Sequence, residues 1–501
     1  MLCKRKYSKL CLILALLLSA STILSCGDSE NDADPVVTTA TSSESTDAGD
    51  ARVSIDDELP DKDFGGETLT ILAYYAGKTP DVPLFAPEEA SGDVVDDAIY
   101  ERNVRIEDRF NCVIEEFDPG LTDWSEHTNF IKTSVMAGED EYDITYNHII
   151  GGPNISLDGV FMILYDLEYL DFTKPWWSQQ MLDEMTLRNQ IYLVGDVIGL
   201  DALQSAKVLY CNKEKFSDYN LDLPYQDVID MTWTMDNFIS LVKDVYEDVN
   251  GNTERDNEDF YGYISHASQN GWLVSCDVPV LEKDPEETLV IAVNGEKVAS
   301  LVEKVYKLYY ESEGSLIISG SDPVSGLSET DWQAELFAEG HGLMAFSLIR
   351  HASTTFRQSN VEYGIVPFPL WDENQESYRT FTGGNLIGIP VTVSDTEMVS
   401  ILFEALVAES YKTVVPAYFE TALKEKFTFD SESGQMLDII NNCLTISFAY
   451  AYDNWKGFGH MMGAIMAGSN PSPDYASFYA SRISSAEERL KLITDFYEAN
   501  E

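Results

Sequence analysis

SAKVLYCNKEKFSDYNLDLPYQDVIDMTWTMDNFISLVKDVYED, Ser205–Asp248, sets the architecture of this chain by its alternation. The apolar run Val208 to Cys211 ends in Asn212 and Lys213 and reads as a strand. A short helix follows, Pro224 breaks the pattern, and Thr-Trp-Thr opens a longer helix. Thr234 is placed to cap that helix, with Asp236 in the first turn, where the helix dipole favours an anion. Phe238, Leu241, Val242 and Val245 recur at helical spacing and form its buried stripe. A strand feeding helices in this order predicts an α/β lobe.

The same alternation runs upstream. GETLTILAYYAG is a strand, and DVVDDAIYERNVRIEDRF sets Val95, Ile99, Ile106 and Phe110 at helical intervals. CVIEEFD is a strand, SEHTNFIKTSVMAGE a helix and YDITYNHI a further strand. This β-α-β-α-β order predicts a second α/β lobe with a largely parallel sheet. Ligands of open α/β sheets sit outside the carboxyl ends of the strands, where Tyr74, Tyr75, Asn147 and His148 fall. About 440 of the 501 residues follow the first 59, more than the ~250–300 that one core accommodates.

Composition excludes some partners. The formal net charge is −54, and no basic stripe exists to neutralise phosphates, so nucleic acid is not expected as a partner. Of seven Cys, Cys112, Cys211, Cys276 and Cys443 are scattered without metal spacing, and buried free thiols are expected.

The first residues have a different purpose. Lys4, Arg5, Lys6 and Lys9 precede the apolar run Leu10 to Leu24, which is shorter than the ~20 residues of a spanning helix. This is the layout of a secretory signal, residues 1–25. The Ile23-Leu24-Ser25-Cys26 stretch resembles the bacterial lipobox, which implies a diacylglyceryl thioether on Cys26 and a stable two-chain membrane anchor. Residues 26–59 are rich in Ser, Thr, Asp and Ala, lack aromatics, and read as a disordered tether.

LYCNKEKF, LP and MTWTMDNF together resemble the YNK-x-x-F, P-x-TW-x-x-F segment of extracellular solute-binding proteins of ABC importers, in the maltose-type group. AELFAEGHGLMAF, VEYGIVPFPLW and TFTGGNLIGIP follow in that group's order, and the resemblance runs from Gly66 to Glu501. LEYLDFTKPWW and VVPAYFETALKEKFTFD look like its Gram-positive lipoprotein branch. One departure stands at MAFSLIRHAS, where the group often has Trp and this chain has none.

The resemblance implies two discontinuous α/β lobes joined by a hinge, a periplasmic-binding-protein-like fold of type II. Residues 60–198 and 340–396 would form the first lobe, and 199–339 and 397–501 the second. It implies a monomer that is not an enzyme, anchored by lipid outside the cell membrane, capturing an oligosaccharide for an ABC permease. A sensory partner such as a membrane kinase would use the same closure. Sugars present a C–H face and a ring of hydroxyls, so Tyr75, Trp124, Trp272 and Trp332 are candidates for stacking. Asp201, Asn270, Arg350 and Asn385 are candidates for hydrogen bonds. The adjacent Trp176 and Trp177 read as packing. No cofactor is expected beyond structural calcium. In DVNGNTERDNEDF, Asp248, Asn250, Asn252, Glu254, Asp256 and Asp259 occupy the six ligand positions of an EF-hand loop. Thr253 stands where that loop has Gly, and Asp259 where it has Glu. The rival class, a surface glycosidase, needs two positioned carboxylates, and no acid lies in a hydrolase pattern. Neither HExxH nor GxSxG occurs, and GFGHMMG misses the dinucleotide fingerprint.

Overall fold

A computed structural model describes residues 52–75, 85–196, 198–320, 322, 325–419, 431–454 and 456–501. The signal, Cys26 and most of the tether lie outside the described residues. Among those described, no helix is long and apolar enough to cross a membrane.

Two sheets organise the chain. The first has the order Cys112–Phe117, Glu67–Leu72, Ile144–Asn147, Leu386–Gly388, Val194–Gly195. Its first three strands are parallel, and Leu386–Gly388 runs against both of its neighbours. The helices Val94–Phe110 and Trp124–Ala137 supply the crossovers. Asp93 and Asp123 cap them by accepting from Val95 N and from Ser125 and Glu126 N. The second sheet has the order Ser315–Ile318, Phe260–His266, Gly342–Leu348, Lys207–Asn212, Tyr363–Val366, with Tyr246–Glu247 added beside Phe260–His266. Thr234 caps the helix Met235–Val242 as expected, accepting from Asn237 N.

The expected partition differs from this pairing. Gly342–Leu348 and Tyr363–Val366, expected in the first lobe within 340–396, belong to the second sheet. All seven residues of Gly342–Leu348 are buried, a demand met by ladders on both of its edges. Conversely the helix Thr396–Glu409, expected in the second lobe, packs on Val94–Phe110 of the first.

Three of the described stretches between the sheets lie side by side. Ala206 bridges Thr382, Thr382 N donates to the Thr445 carbonyl at 3.0 Å, and Thr380–Phe381 pairs with Leu444–Thr445. The Gly-Gly loop serves this close approach. A Cβ on Gly384 would sit 2.8 Å from Ala202 Cα and 2.9 Å from the Asp201 carbonyl oxygen, whereas one on Gly383 meets nothing. Gly384→Ala is expected to cost about 2 kcal/mol in urea unfolding, because backbone and not a rotatable side chain has to move. Gly383→Ala is expected to be nearly neutral in the same measurement.

Trp176 and Trp177 are buried packing residues, as expected, and both indoles donate to Glu404, at 2.7 and 3.1 Å. Cys112, Cys211, Cys276 and Cys443 are buried free thiols.

Candidate functional site

The first wall of the site grows from strand ends of the first sheet. Tyr74, just beyond Glu67–Leu72, lies 4.7 Å from the His127 ring and edge-on to His148 at 6.5 Å. Trp124 opens its helix half-buried and stacks on His148, with centroids 4.8 Å apart and planes 21° off parallel. Burial holds the His127 and His148 imidazoles down to about 4, so both are neutral at physiological pH. A neutral His127 donates from Nε2 to the Ala73 carbonyl at 3.1 Å, which fixes its tautomer.

The second wall continues the strand Phe260–His266. Ser268 Oγ donates to Glu329 at 2.8 Å and contacts His266 Nδ1 at 2.9 Å, so the imidazole donates there. Burial, with the nearby Lys207 charge, holds His266 down to about 3. Asn270 donates to the Ser268 carbonyl and accepts from Gly463 N, at 3.2 and 3.3 Å.

Between the walls stands the hinge. Lys207 starts its strand directly after the crossing at Ala206. Its ammonium donates to Gln269 Oε1 at 3.3 Å and lies 4.6 Å over the Phe381 ring. Phe381 meets Tyr450 edge-on at 5.1 Å, and Tyr450 meets His460 at 4.1 Å. His460 is held down to about 4 by burial, and its Nε2 lies 3.1 Å from the Tyr450 carbonyl oxygen. A cavity of about 190 Å³ adjoins this cluster. Asn270, Phe381 and Tyr450 line it together with Glu184, Arg379 and Asp277. Flat aromatic faces beside carboxylate, amide and guanidinium groups can hold a polyhydroxylated ring on both its apolar and its polar sides.

The structure brings together some of the residues expected at the site. Trp124 and Asn270 stand on the two walls. Asp201 and Asn385 meet at the hinge crossing, where the Asp201 carboxylate accepts from Asn385 N. Arg350 and the helix of Trp332 are joined by Arg350 Nη2 donating to Asp331 at 3.2 Å. Tyr75 stacks on Phe85 at 5.9 Å, while Tyr74, its neighbour, turns to His127 and His148. Trp272 is a correction. It is fully buried in the second core against Phe238 and Phe368, and its indole donates to the Tyr309 hydroxyl at 2.9 Å. No face of it is left for a sugar.

A Ser347–His351–Asp331 string also exists, with His351 Nε2 3.1 Å from Asp331 Oδ1 and Ser347 Oγ hydrogen-bonded to Nδ1. Ser347 and His351 are buried, so the string anchors the segment after Gly342–Leu348 and offers no nucleophile to a substrate.

The loop of Asp248, Asn250, Asn252, Glu254, Asp256 and Asp259 joins two antiparallel strands and does not leave a helix. Its carboxylates accept from its own backbone: Asp248 from Gly251 and Thr253 N, and Asp259 from Val249 and Asp256 N. Asp256 accepts from the Asn250 and Asn252 amides. Among the described residues, no group of three His, Cys, Asp or Glu side chains is placed to hold a metal ion.

No family model matches the chain, and no curated protein matches it. Solved structures do. UgpB from Mycobacterium tuberculosis, in complex with glycerophosphocholine, superposes with a TM-score of 0.54 at 14% identity over 86% of this chain and 98% of its own. The maltose/maltodextrin-binding domain MalE from Bdellovibrio bacteriovorus, bound to maltotriose, gives 0.52 at 15% identity over 85% and 100%. The ABC substrate-binding protein Lmo0181 from Listeria monocytogenes, in complex with cycloalternan, gives 0.51 at 13% identity over 86% and 99%. The fold is that of the ABC-transporter solute-binding proteins.

Within that solute-binding fold, several residues of the cluster escape a reading of the sequence. His148 has a signal, since it follows a predicted strand. Lys207, Gln269, Phe381, Tyr450 and His460 have none, because each is assembled from a different segment by the hinge crossings. GFGHMMG, unlike a nucleotide loop, contributes His460 to this cluster.

Proposed function

We propose that this chain is a lipid-anchored extracellular solute-binding protein. It captures a carbohydrate between the strand ends of its two sheets and delivers it to an ABC permease. The observation that carries the reading is the set of aromatic and polar groups at both sheets and the hinge: Trp124 stacked on His148, Asn270 beyond the second sheet, and Lys207, Phe381, Tyr450 and His460 in contact at the hinge. Structures of the same fold hold maltotriose and cycloalternan. A ligand that touches both walls favours the closed arrangement by its differential affinity, and a permease can read that state. The acyl chains on Cys26 and the tether 26–59 keep the monomer near its membrane partner at high effective concentration. The protein binds its solute and does not transform it.

The test is calorimetric titration of residues 59–501 with linear and cyclic oligosaccharides and polyols, with chromatography of the sugar afterwards. Binding with unchanged sugar supports the reading. Consumption of the glycan would make the chain an enzyme, and silence across the panel would point to another solute class. Trp124→Ala is expected to weaken the binding of any glycan so found about tenfold or more, since a buried aromatic contact carries at least ~1.4 kcal/mol. Calcium enters only as a structural ion of the loop 248–259. Melting with calcium and with chelator tests it, and a calcium-dependent rise in Tm assigns the ion there.

A further inference from the structure

Lys207 differs from the lysines that form ion pairs. The chain has 86 acidic against 32 basic residues, so a carboxylate partner is easy to find. Lys62, Lys132, Lys174, Lys304 and Lys412 each have one. Lys207 is half-buried, and its ammonium has an amide oxygen at 3.3 Å and an aromatic face at 4.6 Å, with no described carboxylate at ion-pair distance. Its neighbours do not supply the missing charge: His266 is a neutral imidazole, and the Glu329 carboxylate is engaged by Ser268 and Gly320 N. Gln269, whose Oε1 meets the ammonium, is buried, and its Nε2 has no hydrogen-bond partner. Burial brings the Lys207 pKa down to about 7, with no nearby charge opposing the shift.

A half-buried cation without a carboxylate partner and a buried, unpaired amide donor beside it are two donors that a ligand can complete. We infer that the captured carbohydrate carries a carboxylate, as a uronic acid does, and that this carboxylate pairs with the Lys207 ammonium beside the Phe381 ring. The inference rests on the carbohydrate reading above and narrows its substrate class. A singly charged carboxylate matches the one ammonium. A doubly charged phosphate would bring a second negative charge into a chain of formal charge −54, where the cavity's Arg379 already pairs with Glu184 and Asp277. The arrangement also gives discrimination, because a neutral sugar leaves the ammonium unpaired.

The test titrates residues 59–501 with oligomers of galacturonic, glucuronic and mannuronic acid, with the neutral galactose, glucose and mannose oligomers, and with sugar phosphates. At least one uronate series is expected to bind ~10- to 100-fold more tightly than its neutral counterpart, the range of a charge-assisted pair. That ratio is expected to collapse toward one in Lys207→Met, which keeps the apolar stem, and to survive in Lys207→Arg. The ratio is insensitive to any loss of folded protein. Neutral glycans binding as tightly as uronates would overturn the inference while leaving the carbohydrate reading standing, as would sugar phosphates binding best. An unchanged ratio in Lys207→Met would also overturn it. Silence across all three sets would remove both readings.

Discussion

Arg102→Ala is expected to destabilise the protein by about 4 kcal/mol, read as a lowered urea midpoint. Arg102 is completely buried on the helix Val94–Phe110 and has no carboxylate partner among the described residues. Burial pulls its guanidinium down to about 10, and the fork is held by carbonyl and amide oxygens instead. It donates to the Ile198 carbonyl at 2.6 Å, to Ser410 Oγ at 2.9 Å, to the Phe85 carbonyl at 3.2 Å and twice to Asn103 Oδ1. Truncation leaves a cavity the size of the side chain and strips Asn103 Oδ1 of both of these donors. Ile198 lies just before the hinge crossing and Ser410 just after the helix Thr396–Glu409, so the loss falls where the first sheet is tied to the hinge. Arg102→Met, which keeps most of the stem, is expected to recover about 2 kcal/mol of the loss.

Glu404→Gln is expected to gain about 3 kcal/mol relative to the wild type as pH rises from 4 to 8. The Glu404 side chain is fully buried beneath Trp176 and Trp177. Burial raises its pKa from 4.5 to about 7 against the opposing pull of the two indole donors and Asp171 N. The native state therefore binds a proton between about pH 4.5 and 7 that the unfolded chain has released, so the wild type loses stability as pH rises through that window. Glutamine does not titrate and resembles the protonated acid. The shift, at 1.36 kcal/mol per pKa unit, gives the magnitude. Taking the difference between the two proteins at each pH cancels every other titrating group, including the neutral imidazoles of His127, His148, His266 and His460. A flat difference across the range would show that Glu404 is ionised in the folded protein at neutral pH.

Local signals carried far in this chain, and long-range ones did not. The strands at Glu67–Leu72, Cys112–Phe117 and Ile144–Asn147, and the capped helix at Thr234, follow from apolar spacing and capping chemistry that a few adjacent residues contain. The packing role of Trp176 and Trp177 is legible because two adjacent indoles need burial and an acceptor, though nothing local points to Glu404 as that acceptor. Trp272 misleads for the same local reason: its neighbours Gln269, Asn270 and Gly271 look like a loop, yet the helix Gly271–Ser275 turns the indole into the core. The sheet membership of Gly342–Leu348 is invisible along the chain, since its partners Lys207–Asn212 and Phe260–His266 lie far upstream. Lys207 is likewise silent in sequence, because its lack of an ion pair depends on where the described carboxylates of distant segments lie.

A carbohydrate captured as proposed touches both sheets at once. Hydrogen exchange, followed by mass spectrometry on residues 59–501 with and without a saturating glycan that binds by calorimetry, tests it most directly. Added protection is expected on both walls and the hinge, in the segments around Tyr74, Trp124 and His148 and around His266 to Asn270, Phe381 and His460. Protection confined to one sheet, with the other unchanged, would contradict it.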